Sequence, residues 1–515
     1  MSGPRISSRI AALISRFRRD NRANIVTIFA LTLVPILTAI GCATDYSLAV
    51  RMKSKMQSAA DGASVSSIST NSAGYLAAIH MTSNGPVPAA VTDANNIFNG
   101  NVAGIPGYNN LSLTSTVTKT KAMLTSTVQF SAQVPTVFLS IIGYQYLTIT
   151  GNSSSSASLP LYLDFYLMLD VSGSMGLPST DAEQTRLAAI NPDNFTNYPT
   201  GCTLACHFSP ANSCPNSTQK YNTNNLCLGY PVTRVSYSGY KQLLVNNSNH
   251  LPTTPSTFIT GLPNTLYAAL PTVSSCSTDG TNACIQLRAD AVGSAVNQLF
   301  TTANAAAKIP NQFRIGLYPF IRYLYPYFAL TGNINGSATD SSTINYAAAN
   351  LASQLDTNTS ANLGSGGTHF ENAFPTMSTT ITSVGDGSAT TSTLPYVFLI
   401  TDGAEDPQVK AINGGSWSGS NHATTLSAST LCTPLKNRGI IISVLYIPYQ
   451  TIQNANHSFA SDEDGYANSN IPNIPPSLQA CASPGFFYTA NTPADITTAL
   501  NAMFNHAVVT AHITN

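Results

Sequence analysis

Apolar residues near the start of the chain form one uninterrupted block. From Ile25 to Ala43 the sequence IVTIFALTLVPILTAIGCA carries no charge, and about 19 helical residues suffice to cross a hydrocarbon core of roughly 30 Å. The pattern predicts one membrane-spanning helix over 25–45. Beyond it, YSLAVRMKSKMQSAADGASVSSI keeps a helical period, with Leu48, Met52, Met56, Ala59 and Ala63 on one stripe and Arg51, Lys53 and Lys55 off it. The span is therefore expected to continue as an amphipathic helix. Between about Leu111 and Thr150 the period changes to two: TSTVTKT, LTSTVQFSAQV and YLTITG are rich in Thr, Val and aromatics and bounded by Gly and Pro. They predict a small sheet packed on that helix. The polar, low-complexity GNSSSSAS that follows reads as a linker over 151–160, with a domain boundary near residue 158.

The remainder, 161–515, alternates buried apolar runs with helical periodicity. LYLDFYLMLD, FRIGLYPFI, YVFLIT and IIISVLYI read as strands buried on both faces. IQLRADAVGSAVNQLF, with Leu287, Ala291, Ala295 and Leu299 on one face, and TPADITTALNAMF read as helices. Alternation of this kind predicts an α/β fold with a doubly wound parallel sheet, whose ligands gather at the carboxyl ends of the strands. Met175 and Ile285 bracket an insertion, 176–284, far longer than an ordinary loop.

The chain has 515 residues, 43 % hydrophobic and only 9 % charged. Two or three folded units are expected at that length. Its 22 basic residues balance 22 acidic ones, so no global field argues for nucleic acid or an acidic substrate. The basic residues are unevenly placed: Arg5, Arg9, Arg16, Arg18, Arg19 and Arg22 crowd the N-terminus. The positive-inside rule puts this tail, 1–24, in the cytoplasm and translocates everything after about Asp45. A cleaved signal peptide is the competing reading, but the apolar block is long and lacks a clean small-x-small site. Eight of nine cysteines lie beyond the span; an even exported number fits disulfides in an oxidising periplasm, with the pairing left open by the sequence.

Chemistry concentrates in three separated loops. Asp170, Ser172 and Ser174 end the first apolar strand as Asp-x-Ser-x-Ser, Thr368 follows Gly366-Gly367, and Asp402 ends another buried run. Alone, the first motif could be a plain strand-to-helix turn. The three together resemble the metal-ion-dependent adhesion site of von Willebrand factor A (vWA) domains. That resemblance implies a bound Mg2+ (or Mn2+ or Ca2+), with Ser172, Ser174 and Thr368 as direct ligands and Asp170 and Asp402 acting largely through bridging water. Magnesium takes six oxygen ligands. Neutral hydroxyls leave its charge largely uncompensated, which invites a carboxylate from a protein partner.

The first third, through IFALTLVPIL with Pro35, TDYSLAVRMKSKMQSAADGAS with Asp45 and Asp61, and QVPTVFLSIIGYQYLTITGNSSSSA, resembles the TadG-like proteins of tight-adherence (Flp) pilus systems. The resemblance implies a membrane helix with a pilin-like α+β module over 46–150, followed by the vWA domain with its disulfide-rich insertion. It further implies a Cys432–Cys481 disulfide and an inner-membrane protein facing the periplasm that binds other pilus or secretion components. A pilus-linked adhesin binding a surface or host protein is the alternative. The insertion's Cys202-Thr-Leu-Ala-Cys206-His207 has one residue too many for c-type haem attachment. Zinc at His207, Cys214 and Cys227 is disfavoured by an oxidising location, which leaves a disulfide-stapled cap. No Walker loop, His-Glu-x-x-His helix or Gly-x-Ser-x-Gly elbow occurs, so a binding protein rather than an enzyme is expected.

Overall fold

The computed structural model describes residues 23–176, 179, 287–356, 360–412, 417–419, 422–449 and 464–513. Six cysteines of the insertion, the N-terminal arginines and the side chain of Trp417 lie outside the described residues. The chain divides into two compact units, Met1–Leu159 and Pro160–Asn515.

In the first unit, helix α1 (Ala23–Ser66) is about 66 Å long at 1.5 Å per residue. Its opening turns expose Ile28, Phe29, Leu31, Val34 and Leu37, and it is long and apolar enough to cross a membrane. Pro35 interrupts the amide ladder there, and the Thr38 hydroxyl donates to the neighbouring Val34 carbonyl at 2.7 Å. Farther along, Ala49, Met52, Met56, Ala59, Ala60 and Ala63 form the buried stripe. Leu48, expected on that stripe, is exposed instead. The steps 49, 52, 56, 59 and 63 follow one helical face, and Leu48 stands about 100° around the axis from Ala49.

Helix α2 (Ala73–Ile79), strand β1 (Gly85–Pro86) and helix α3 (Pro88–Val102) come next. Strands β2 (Asn109–Thr120), β3 (Met123–Pro135) and β4 (Tyr146–Ser158) then complete an antiparallel sheet in the order β1-β2-β3-β4. Along β3 every second residue is buried, and Val128, Phe130 and Ala132 pack against the α1 stripe and Phe98 of α3. Lys119 is buried, yet its Nζ donates to the carbonyls of Ala78 at 3.2 Å and Met81 at 2.6 Å, satisfying acceptors at the C-terminal end of α2.

The expected linker is not one. Residues 151–158 form the second half of β4, paired from Gly151↔Phe130 to Ser158↔Met123. Serine runs suggest flexibility because they bring no apolar burial, but here each hydroxyl from Ser153 to Ser156 finds a partner. Ser153 and Ser155 bond to Ser64 of α1 at 3.0 and 2.8 Å, and Ser154 and Ser156 bond to Thr127 and Thr125 on β3. Small side chains let the helix lie close; a Cβ on Gly151 would sit 2.4 Å from Gln57 and 2.5 Å from Phe130.

The second unit runs through β5 (Leu163–Asp170), α4 (Arg288–Ala306), β6 (Phe313–Phe320), β7 (Phe328–Thr331), α5 (Ile344–Ala349), α6 (Phe370–Thr380) and β8 (Leu394–Thr401). Four two-residue strands, β9 (Ala404–Glu405), β10 (Val409–Lys410), β11 (Trp417–Ser418) and β12 (Thr424–Thr425), stitch the next loop. Then come α7 (Thr433–Asn437), β13 (Ile441–Tyr446), α8 (Asp464–Asn470), α9 (Ile474–Cys481), β14 (Phe487–Thr489) and α10 (Pro493–Ile513). The main sheet has the order β14-β13-β8-β5-β6-β7, parallel throughout except for β7. The architecture is thus mixed α/β with parallel strands, and all eight residues of β5 are buried.

Alternate residues of the strands face opposite layers. Phe165 and Phe313 meet Phe504 of α10 on one side. Tyr166, Met168, Val397 and Leu399 join Phe370, Phe374 and Leu478 of α6 and α9 on the other. Cys432 and Cys481 are bonded, with Cα atoms 5.2 Å apart, so the pairing implied by the TadG-like resemblance is present. From β5 the chain moves to β6 and β7 on one side, then returns to β8 on the other. The carboxyl ends of β5 and β8 therefore flank a topological switch point, where open α/β sheets form a crevice.

Candidate metal centre

Strand β5 delivers Asp170 to that crevice, and the turn after it folds back on the carboxylate. The Ser172 amide donates to Asp170 Oδ1 at 2.9 Å, a local side-chain-to-backbone bond of the kind Asp favours in turns. Thr401, the last residue of β8, donates its hydroxyl to Asp170 Oδ2 at 2.6 Å. One carboxylate is thereby clamped between two strands. The Ser172 and Ser174 hydroxyls lie 3.2 Å apart. Asp402 follows β8 directly; the next residue, Gly403, has φ +79°, and a Cβ there would come within 2.5 Å of Ile474. Glycine is required at that turn.

All four side chains are buried: Asp402 is 0 % exposed and Asp170 1 %. Burial, then the charge of Asp402, pushes the Asp170 pKa up to about 7 against the bonds from Ser172 and Thr401. Burial also raises that of Asp402, opposed by Arg288 and by a hydrogen bond from Ser174. Arg288, the first residue of α4, places Nη1 3.3 Å from Asp402 Oδ2 and Nη2 3.2 Å from the Pro448 carbonyl. Among the described residues, the buried Asp402 Oδ1 finds no hydrogen-bond partner.

Thr368 pairs through its backbone with Asp406, four residues beyond Asp402, exchanging amide and carbonyl bonds at 2.9 and 3.0 Å. Two further residues hold its loop in place: Asp356, which the sequence does not single out, and His369, whose position beside Thr368 suggests that it shapes the loop. The Asp356 amide donates to the Val171 carbonyl at 3.0 Å. The Asp356 carboxylate accepts from the Ser365 hydroxyl at 2.9 Å and the Gly366 amide at 2.8 Å, so it ties the Ser172 loop to the Thr368 loop. His369 is buried with Nε2 2.9 Å from the carbonyls of both Gly366 and Gln408. Its Nδ1 lies 2.5 Å from Glu371; burial lowers its pKa, but Glu371 and the carbonyls outweigh this and raise it. The one sequence signal for Asp356 was an acid in a polar loop, which is too common to select.

Two buried carboxylates with raised pKa values, hydroxyls beside them and an orphaned buried carboxylate oxygen form an oxygen-only donor set. Such a set fits a hard divalent cation better than a soft one. A cation would satisfy Asp402 Oδ1 and remove the repulsion between the two acids.

Residues 24–67 match the family described as "Putative Flp pilus-assembly TadE/G-like". No curated protein matches the chain. Among solved structures, the chain is similar to the PilB minor pilin from Streptococcus sanguinis at 10 % identity, over 78 % of each chain and with a TM-score of 0.31. It is also similar to the vWF domain of the type V pili tip protein Mfa5 from Porphyromonas gingivalis, at 11 % identity, over 43 % of this chain and 89 % of that one, TM-score 0.26. A third similarity is to the conserved hypothetical protein BatB from Bacteroides thetaiotaomicron, at 11 % identity, over 42 % of this chain and 89 % of that one, TM-score 0.23.

Glu405 offers a test of the loop's electrostatics. Burial, then the charge of Glu371, raises its pKa to about 7, partly offset by His369. Up to about pH 7 the folded protein therefore holds a proton that the unfolded chain releases within the ordinary carboxylate range. The contribution to stability is complete below pH 4 and is lost as pH rises through about 7. Glu405→Gln should thus stabilise the protein by about 1–3 kcal/mol at pH 8 and give no gain at pH 4. Urea unfolding in chelator at the two pH values checks both signs.

Proposed function

We propose that the chain is a membrane-anchored component of Tad (Flp) pilus assembly whose second unit is a doubly wound vWA domain that binds a protein partner through a divalent cation. The observation that carries this reading is the orphaned Asp402 Oδ1, buried beside Asp170, Ser172 and Ser174 where β5 and β8 end. The TadE/G-like match over residues 24–67, together with an apolar helix long enough to span a bilayer, supports the anchor and the pilus association. The arginine-rich N-terminus favours an inner-membrane orientation with the second unit in the periplasm.

In this reading Ser172, Ser174 and Thr368 hold Mg2+ (or Mn2+ or Ca2+) directly, while Asp170 and Asp402 orient ligands and bridging waters. The charges explain the choice of partner. Two negative carboxylates, the positive Arg288 and a doubly charged cation leave one positive charge in a buried crevice, which a partner's carboxylate neutralises. Nothing in that set of groups requires turnover, so the natural outcome is stoichiometric binding.

Crosslinking in intact envelopes tests the proposal. Wild-type chain should capture a specific pilus or secretion component in magnesium, and chelator or Asp402→Asn should reduce capture at least about tenfold. Equal capture of the same protein under all three conditions would refute metal dependence.

A further inference from the structure

The loop between β3 and β4 is apolar, uncharged and exposed, and it sits against the end of the apolar stretch of α1. From Thr136 to Tyr146 the sequence TVFLSIIGYQY contains no charged residue. Val137, Phe138, Ile141, Ile142, Tyr144 and Tyr146 are all exposed, Ile141 by 80 %. Such a cluster at a hairpin tip is costly in water and calls for a covering surface.

Its position says which surface. Phe138 packs directly on Gly41, where even a Cβ would come within 2.4 Å of the ring. Gly41 is two residues from the end of the uncharged block at Ala43, so the loop stands at the level where the span would leave the hydrocarbon. Asp45, one turn farther on, turns its carboxylate to the loop. Oδ1 accepts from the Val137 amide at 3.1 Å, and Oδ2 accepts from the Phe138 and Leu139 amides at 2.8 Å each.

Four more amides of the loop bond within it. Thr136 donates to Gln145, Ile141 to Phe138, Gly143 to Ser140 and Tyr144 to Leu139. Seven loop amides are thus paired, which lowers the cost of leaving water, because irregular backbone enters an apolar medium only when its polar groups are satisfied. Tyr46, Tyr144 and Tyr146, all exposed, present the amphipathic rings that favour the membrane–water interface.

We propose that this loop is a second membrane contact, inserted into the lipid interface beside the span and fixing the depth at which α1 emerges. The occupant of the surface is lipid, because the patch adjoins the exposed apolar stretch of α1. The inference goes beyond the metal site but rests on the reading of α1 as a membrane anchor.

The chain has a single tryptophan, Trp417, so fluorescence depth measurement is direct. Full-length Trp417→Phe protein carrying either Ile141→Trp or Val34→Trp is reconstituted in phosphatidylcholine vesicles with bromine either near the headgroup end of the acyl chain or near its tip. The Ile141→Trp emission should be blue-shifted and quenched mainly by the shallow bromines, and the Val34→Trp emission mainly by the deep ones. A red, unquenched Ile141→Trp signal alongside a quenched Val34→Trp signal overturns the inference and leaves the anchor standing. If neither is quenched, the anchor reading fails and takes this inference with it. Ile141→Trp shielded from aqueous iodide but untouched by bromolipid would mark a protein contact, and that too overturns it.

Discussion

In Asp170→Asn the affinity for magnesium and manganese should fall about 10- to 100-fold, while the chelated protein gains about 1–3 kcal/mol of stability at pH 8. The two effects have opposite signs because the carboxylate does opposite things in the two states. With a cation present, Asp170 orients the ligand sphere and balances charge. Without one, it is an anion buried beside Asp402, held near pH 7 by burial and that neighbour. The amide keeps the local bonds: its oxygen can accept from the Ser172 amide and its nitrogen can donate to the Thr401 hydroxyl. The gain should shrink as pH falls, since below about pH 7 the wild-type group takes up a proton and becomes neutral as well. Calorimetric titration and urea unfolding in chelator measure the two halves separately. A purely structural Asp170 would give lower stability and no change in metal binding, and that result would sink the metal proposal.

The elements of the second unit were legible because its strands are buried on both faces. LYLDFYLMLD can be little other than a central strand, and its eight residues are all buried in β5. The same holds for α4, whose predicted face of Leu287, Ala291, Ala295 and Leu299 is buried throughout. The serine-rich half of β4 was misread because its stabilisation comes from hydroxyl pairs with Ser64, Thr125 and Thr127, a long-range pattern that composition cannot show. Asp170, Ser172, Ser174 and Asp402 were legible as a set because each ends or follows a strand whose burial the sequence announces. Arg288 was not, since an arginine opening an amphipathic helix ordinarily reads as solvated. Only the fold reveals that it points inward, 2 % exposed and paired with an acid 114 positions away.

That arginine separates cation binding from partner binding. Arg288→Met should destabilise the chelated protein by about 3–5 kcal/mol, because the buried Asp402 would lose the guanidinium that offsets its charge. Magnesium at a hundred times its dissociation constant should restore about 2.7 kcal/mol of that loss, the stabilisation expected of any ligand specific to the folded state. Affinity for the cation should rise, since a positive charge 3.3 Å from Asp402 Oδ2 has been removed from its surroundings. Capture of a partner should nevertheless weaken. Without Arg288 the two carboxylates cancel the cation, and no net positive charge remains to draw a carboxylate into the crevice. Calorimetric titration against crosslinking yield reads the two changes independently. Tighter metal binding with weaker capture would assign Arg288 to tuning the charge that the partner meets; equal losses in both would reduce it to a structural prop for α4.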